Sequence, residues 1–461
     1  MTIDTLPDEA LLEIFSFYLV EASNHREPWH TLAHVCRRWR SIVFASPRRL
    51  NLRIFYTPKR QVNVMLDIWP NLPIRISACG YNELWRGVNN LIAALEHTDR
   101  ICQVQLYGEA CDLGSILSAM QKPFPALTNL AIDCSDYAYM EAIMALPQAF
   151  LGSSAQHLRS CHLSAVDFPG IWKLLLTANH LVTLCLWHVP HSMYASPEGI
   201  ATFLSTMPNL ESLSIGFWSP EALHNQPDQP NRPLSPPERV VLPSLMTFHF
   251  RVTSEYLEDF VSRIDVPLLD KVDIAFFDQP VFNTPRLHDF FTRIEKFKAH
   301  SQGGVVIRGS SIEFELELGS LSFKLGILCR ELDRQVSSMA QLCGSSLHLP
   351  SALKRLDIRE SPLALLPDQQ DVVENHQWLD LLHPFTGLND LHLGKGPGLH
   401  CALALRELAG ERVTEVLPAL QNIFVQELEP SGPTQEALGQ FVAARQLSGL
   451  PVVVHNWDGW S

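Results

Sequence analysis

The chain has 461 residues, of which 46% are apolar and 18% charged, so it has ample material for a core and cannot be wholly disordered. Lysine and arginine number 35 against 49 acids, a formal charge of −14, which argues against a general nucleic-acid binder. No stretch approaches the roughly 20 apolar residues of a membrane span. The opening MTIDTLPDEALLEIF places acids where a secretory signal needs a basic region, and no N-x-[ST] sequon with x other than proline occurs, so a soluble protein of the cytoplasm or nucleus is expected. The ten cysteines form no C-x-x-C pair and read as small buried hydrophobes, with disulfides or a metal site the less favoured alternatives.

The first sixty residues carry nine basic and six acidic side chains, +3 against −17 for the rest. Leu11, Ile14, Phe15 and Tyr18 or Leu19 recur at helical steps behind Pro7, Asp8 and Glu9, which suit a first helical turn. After a polar stretch, EASNHREPWH, a second helix is expected from about Thr31, with Leu32, Val35, Cys36, Trp39 and Ile42 or Val43 on one stripe. Helices this short cannot bury their apolar faces against one another alone. The remainder either meets a partner or caps the next domain, and patterning alone does not separate the two.

The run LPDEALLEIFSFYL followed by LAHVCRRWRSIV resembles the F-box, whose pattern is L-P-x-E-x-L-x-x-I-F-x-x-L and then V-C-R-x-W-R. Leu6, Pro7, Glu9, Leu11, Ile14, Phe15 and Leu19 match the first half, and Val35, Cys36, Arg37, Trp39 and Arg40 the second. The chain is also similar to the F-box proteins of mushroom-forming fungi, through HVCRRWRSIVFASPRRLNLRI and ERVTEVLPALQN. The resemblance implies a Skp-type adaptor as partner, and through it a cullin. The implied adaptor-binding residues are Leu6, Pro7, Glu9, Leu11, Ile14, Phe15, Leu19, Leu32, Val35, Cys36 and Trp39.

From about residue 100 a triplet L-x-x-L-x-[LIVF] recurs ten times. Its members begin at Ile101, Leu127, Leu158, Leu181, Leu210, Leu245, Leu269, Leu353, Leu388 and Leu420. Proline stands two residues before the triplet at Pro125, Pro208, Pro243, Pro267 and Pro418, five of ten units where chance gives roughly 0.7. Segments of helical spacing lie between, including SPEGIATFLST and TPRLHDFFTRI, each with a capping Ser or Thr before a first-turn proline. Strand and helix alternating at this period make a leucine-rich-repeat unit.

The expected fold is therefore α/β. A small helical F-box (1–56), a linker with a first capping helix (57–99) and an irregular leucine-rich-repeat solenoid (100–461) succeed one another. Parallel strands are expected on the concave face and helices on the convex face. Residues 220–240 hold six prolines and read as a surface loop. Over 303–328, SIEFELELGSLSFKLGI alternates with period two around Gly319-Ser320 and reads as an inserted hairpin.

No phosphate loop, H-E-x-x-H or G-x-S-x-G elbow occurs, so no catalytic residue, metal ligand or cofactor is expected. Gly394-Lys395-Gly396-Pro397-Gly398 is a lone glycine cluster, best read as a loop leaving a repeat strand. What remains is a binding surface on strand residues between the apolar positions, with Tyr107, Thr183, Trp187, His249, Arg251, Arg355 and Arg359 as candidate target contacts. Two functions fit: the substrate receptor of an SCF-type ubiquitin ligase, or a non-catalytic interaction scaffold outside any ligase. An enzyme whose site carries no recognised motif is the remote third.

Overall fold

The computed structural model describes residues 3–21, 29–47, 49–50, 52–56, 71–79, 87–134, 144–220, 239–294, 296, 301–318, 321–346, 349–361, 373–408, 412–428 and 431–457. Residues 221–238, nearly all of the expected proline-rich loop, and residues 22–28 between the first helices lie outside that set. The chain divides into two compact units, Met1–Met193 and Tyr194–Ser461.

The first unit begins with three helices, α1 (Asp8–Glu21), α2 (Trp29–Val35) and α3 (Arg37–Ala45). The single second helix expected from Thr31 is in fact two. Cys36 breaks it: its backbone is extended at φ −156° and ψ 171°, and its Sγ accepts the Trp39 N–H at 3.4 Å, capping α3. Leu11, Phe15, Leu32, Ile42 and Val43 fill the space between the helices.

A parallel ladder comes next: β1 (Ile54–Tyr56), β2 (Ile74–Cys79), β3 (Ile101–Tyr107), β4 (Asn129–Asp133), β5 (Ser160–Ser164) and β6 (Thr183–Val189). The ladder thus starts two strands before the first triplet. Helices α4 (Val88–Leu95), α5 (Ala110–Ala119) and α6 (Ile171–Leu175) bury apolar side chains such as Leu91, Leu113 and Leu174.

Among the described residues, the main ladder of the second unit has ten strands: β7 (Ser212–Phe217), β8 (Thr247–Val252), β9 (Lys271–Phe277), β10 (Gln302–Arg308), β11 (Ser311–Leu318), β12 (Leu321–Leu328), β13 (Arg355–Glu360), β14 (Asp390–Leu393), β15 (Asn422–Gln426) and β16 (Val453–Trp457). Their spatial order is β7-β8-β9-β12-β11-β10-β13-β14-β15-β16. Every pair is parallel except β12–β11 and β11–β10. Helices α7 (Pro197–Leu204), α8 (Ser254–Ser262), α9 (Pro285–Thr292), α10 (Leu332–Ser346), α11 (Asn375–Leu382), α12 (Pro397–Ala404) and α13 (Pro433–Leu447) pack one against the next along the array.

In all ten triplets the second and third apolar members lie on strands of these two ladders, the leading member stands at or just before the strand, and all of them are buried. The prolines ahead of them have a physical role. In each unit the leading leucine donates its N–H to the carbonyl three residues back, as Leu127 does to Phe124, Leu210 to Met207, Leu245 to Leu242, Leu269 to Val266 and Leu420 to Leu417. Pro125, Pro208, Pro243, Pro267 and Pro418 then occupy the second position of a β-turn, where a fixed φ near −65° suits the turn and no N–H is needed.

Where the triplet fades, β10 supplies Gly303, Val305 and Ile307 in register with Leu356, Ile358 and Glu360 of β13. A Cβ at Gly303 would stand 2.7 Å from Leu316 and 2.8 Å from Leu353, so glycine replaces the usual leucine. The helix caps show the same coupling between neighbours. Thr284 makes no side-chain cap for α9; instead the Glu258 carboxylate of α8 accepts the Arg286 and Leu287 N–H groups at 2.8 and 2.7 Å. Near the chain's end, the buried Arg445 guanidinium donates to the carbonyls of Val413, Leu417 and Leu420, so its own donors are met by backbone acceptors of the neighbouring turns.

Candidate functional site

Two surfaces are built differently. On the N-terminal helices the predicted adaptor residues divide by depth. Leu11, Phe15 and Leu32 are buried, and Phe15 meets Trp39 at 4.7 Å, so these support the surface from behind. Leu6, Leu19 and Trp39 are half-buried, while Pro7, Glu9 and Cys36 are exposed. Ile14 is 44% exposed and Val35 56%. Phe17 (73%) and Tyr18 (40%) join Ile14 on the outer face of α1 at helical steps of three and four. Phe17 is not among the residues expected from the sequence, because it lies off the inner stripe of Leu11 and Phe15. Yet a helix apolar on both faces is itself the signal that one of them awaits a partner.

Polar groups hold this surface in place. Arg38 donates to Asp8 Oδ1 at 2.6 Å and to the Leu6 carbonyl at 2.6 Å, tying α3 to the start of α1. Arg49 pairs with Glu13, and Arg40 donates to the Ala33 carbonyl at 2.8 Å. Trp29, inside the stretch read as merely polar, donates its indole N–H to the Arg53 carbonyl at 2.9 Å and so fastens α2 to the chain just ahead of β1.

The second surface is the row of strand side chains between buried apolar positions. In the first unit Tyr107, Asp133, Ser164 and Trp187 stand in register on β3 to β6. Tyr107 and Trp187 therefore lie in one row, roughly 14 Å apart at the usual strand spacing. Thr183 shares β6 with Trp187, both half-buried.

In the second unit His249 and Arg251 lie on β8, and Arg355 and Arg359 on β13. Five strand steps separate them, roughly 24 Å, because β10 to β12 intervene. These side chains are engaged with neighbours. His249 Nε2 is 3.4 Å from Asp273, Arg251 lies 5.3 Å from the Phe277 ring centre, Arg355 pairs with Asp357 at 3.0 Å, and Arg359 pairs with Glu315. Burial holds His249 below and Asp273 and Asp357 above their ordinary ranges, while the partner charges oppose this.

Farther along, His392, Phe424 and His455 stack across β14 to β16, at 4.3 and 4.8 Å between ring centres. Trp457 stands edge-on to His392 at 5.2 Å. Burial, helped by the Arg355 charge, lowers His392 to about 4 against the opposing charge of Asp390.

The glycine cluster at 394–398 forms the turn from β14 into α12, with Gly396 at φ +64° and its missing Cβ leaving room for Glu360. Among the described residues no group of three or more His, Cys, Asp or Glu could hold a metal ion, and no helix is long and apolar enough to cross a membrane.

Among solved structures, the chain is similar to the leucine-rich repeat-containing protein LegL7 from Legionella pneumophila, at 14% identity and a TM-score of 0.30, over 87% of this chain and 99% of that one. No curated protein matches it. Residues 3–52 match the F-box-like family model. The chain thus carries an F-box-like domain at its N-terminus, followed by a mostly parallel strand–helix array of leucine-rich-repeat type.

Proposed function

We propose that the chain is the substrate-recognition subunit of an SCF-type cullin–RING ubiquitin ligase, working in the cytoplasm or nucleus. The F-box-like helices dock on a Skp-type adaptor and through it a cullin. The repeat array holds a protein target through strand residues including Tyr107, Thr183, Trp187, His249, Arg251, Arg355 and Arg359. The chain performs no chemistry of its own. Its contribution is to raise the effective concentration of target lysines beside the ubiquitin-loaded enzyme.

One observation carries this reading: in a segment matching the F-box-like family, Ile14, Phe17, Tyr18 and Val35 remain in solvent while Leu11 and Phe15 behind them are packed. Exposed apolar side chains on a braced framework are what a docking face requires. The test is copurification from cells. The full chain should bring down adaptor and cullin, and Leu6→Ala with Pro7→Ala should lose both while the melting temperature holds. Adaptor retained undiminished by that variant would refute the docking assignment. A target captured by a chain that brings down no adaptor would favour a scaffold outside the ligase.

A further inference from the structure

The turns ahead of β4, β5 and β6 bring one more group of side chains together. Leu127, Leu158 and Leu181 each close a turn onto the carbonyl three residues back, so Ala126, His157 and His180 occupy the same position in three successive turns. Thr128 and Arg159 come directly after the leucines in the first two. These five residues and Pro125 line a cleft of about 450 Å³ at the leading edge of the ladder, off the strand face. The cleft is shallow and open to solvent, and His157, Arg159 and His180 are exposed there.

Its chemistry is one-sided. No acid lines the cleft, in a chain whose formal charge is −14. The side chains of Arg159, His157 and His180 have no ion-pair or hydrogen-bond partner among the described residues. Thr128 already directs its hydroxyl toward the Cys102 carbonyl and Asn129, leaving Arg159 and the two imidazoles as the donors on offer.

The backbone beneath them is fixed. Arg159 donates its N–H to the Thr128 carbonyl at 2.8 Å, and its own carbonyl accepts from Val182 and Thr183 at 2.8 and 3.0 Å. The corresponding positions after the leading leucine in the second unit are Glu211, Met246, Asp270, Lys354, Asn389 and Gln421, of mixed charge, so a basic residue there is not a property of the repeat itself.

We propose that this cleft binds a phosphate group. A guanidinium offers paired N–H donors that match a phosphate's oxygens, and an imidazole N–H donates whichever ring nitrogen carries it. The phosphate belongs either to a phosphorylated side chain or to a free small phosphate, and both present the same oxygens. The inference is independent of the adaptor and ligase reading.

Calorimetric titration of the full chain with inorganic phosphate, a phosphoseryl peptide and its unphosphorylated counterpart tests it. Saturable binding is expected for at least one phosphate probe and not for the unphosphorylated peptide. Arg159→Glu should weaken it at least tenfold, and Arg406→Glu, an exposed site in the second unit, should leave it unchanged. Should Arg159→Glu fail to fold, His157→Gln with His180→Gln should still weaken binding at least threefold. A phosphopeptide bound tenfold more tightly than inorganic phosphate would assign the site to a modified side chain, and equal affinities to the free ion. Absence of saturable binding to either phosphate probe, or undiminished binding in the folded cleft variants, overturns the proposal.

Discussion

The N-terminal helices and the strand array treat apolar side chains in opposite ways. In the array the triplet positions are sealed, and the alternating positions carry polar groups and charges, many of them matched to neighbours, as Arg359 is with Glu315 and Arg355 with Asp357. On α1 and α2, by contrast, Ile14, Phe17, Tyr18 and Val35 stay in water. A ladder of repeats covers each unit with the next and needs no outside partner for its core. Three short helices lack that option. The difference separates a surface that would gain by hydrophobic burial from one whose charges any partner would first have to draw away from their present neighbours.

The contrast breaks most visibly at Leu213. This side chain of β7 is fully buried, so Leu213→Asp places a charge in the shared core and should cost about 4 kcal/mol or more. The expected outcome is loss of soluble, cooperatively melting protein by circular dichroism. A melting curve like that of wild type would contradict the sealed-core account.

A smaller effect should come from His392. Its folded value of about 4 lies below the ordinary imidazole value near 6.5, so the unfolded chain takes up the proton first. The stability tied to the neutral ring is therefore complete above about pH 6.5 and is lost as pH falls toward 4. With solvent at the ring's edge taken into account, the loss is roughly 2 kcal/mol. His392→Phe keeps a ring beside Phe424 and should remove that part of the acid dependence in urea titrations at pH 7, 5.5 and 4. An identical acid slope in the two proteins would show that His392 is not the group responsible.

The smallest effect belongs to the strand face. Arg359→Ala removes a partly exposed partner of Glu315 and should cost about 1 kcal/mol or less, seen as a small shift of the urea midpoint. A much larger loss would mean that the paired charges hold the array together, erasing the distinction between core and face.

The repeat strands were legible because each unit writes its core as leucines at fixed steps and its turn as a proline that fits only one position. The two strands before residue 100 were not, since Ile54 and Tyr56, like Ile74, Ile76 and Ala78, alternate without a leucine at the leading position. The antiparallel pair of β11 and β12 was expected from the period-two alternation around Gly319-Ser320, but the place of β10, antiparallel to β11 and parallel to β13, was not, because such alternation looks alike in parallel and antiparallel strands. That Arg355 and Arg359 sit five strands from His249 and Arg251 is a result of that insertion and could not be read from spacing alone. On the helices, the F-box pattern located the segment that matches the F-box-like family model. The break at Cys36, which ends one helix at Val35 and starts the next at Arg37, was not legible, because there a thiol does the capping usually left to Ser, Thr, Asp or Asn.

The central claim is that the exposed apolar face of the N-terminal helices receives a Skp-type adaptor. Titration of purified adaptor into the full chain, compared with Ile14→Asp and Phe17→Asp, tests it most directly. Each substitution should weaken binding by about 2 kcal/mol or more, roughly thirtyfold, with the melting temperature unchanged and with Arg359→Ala binding as wild type does. Full adaptor affinity in both aspartate variants would contradict the claim.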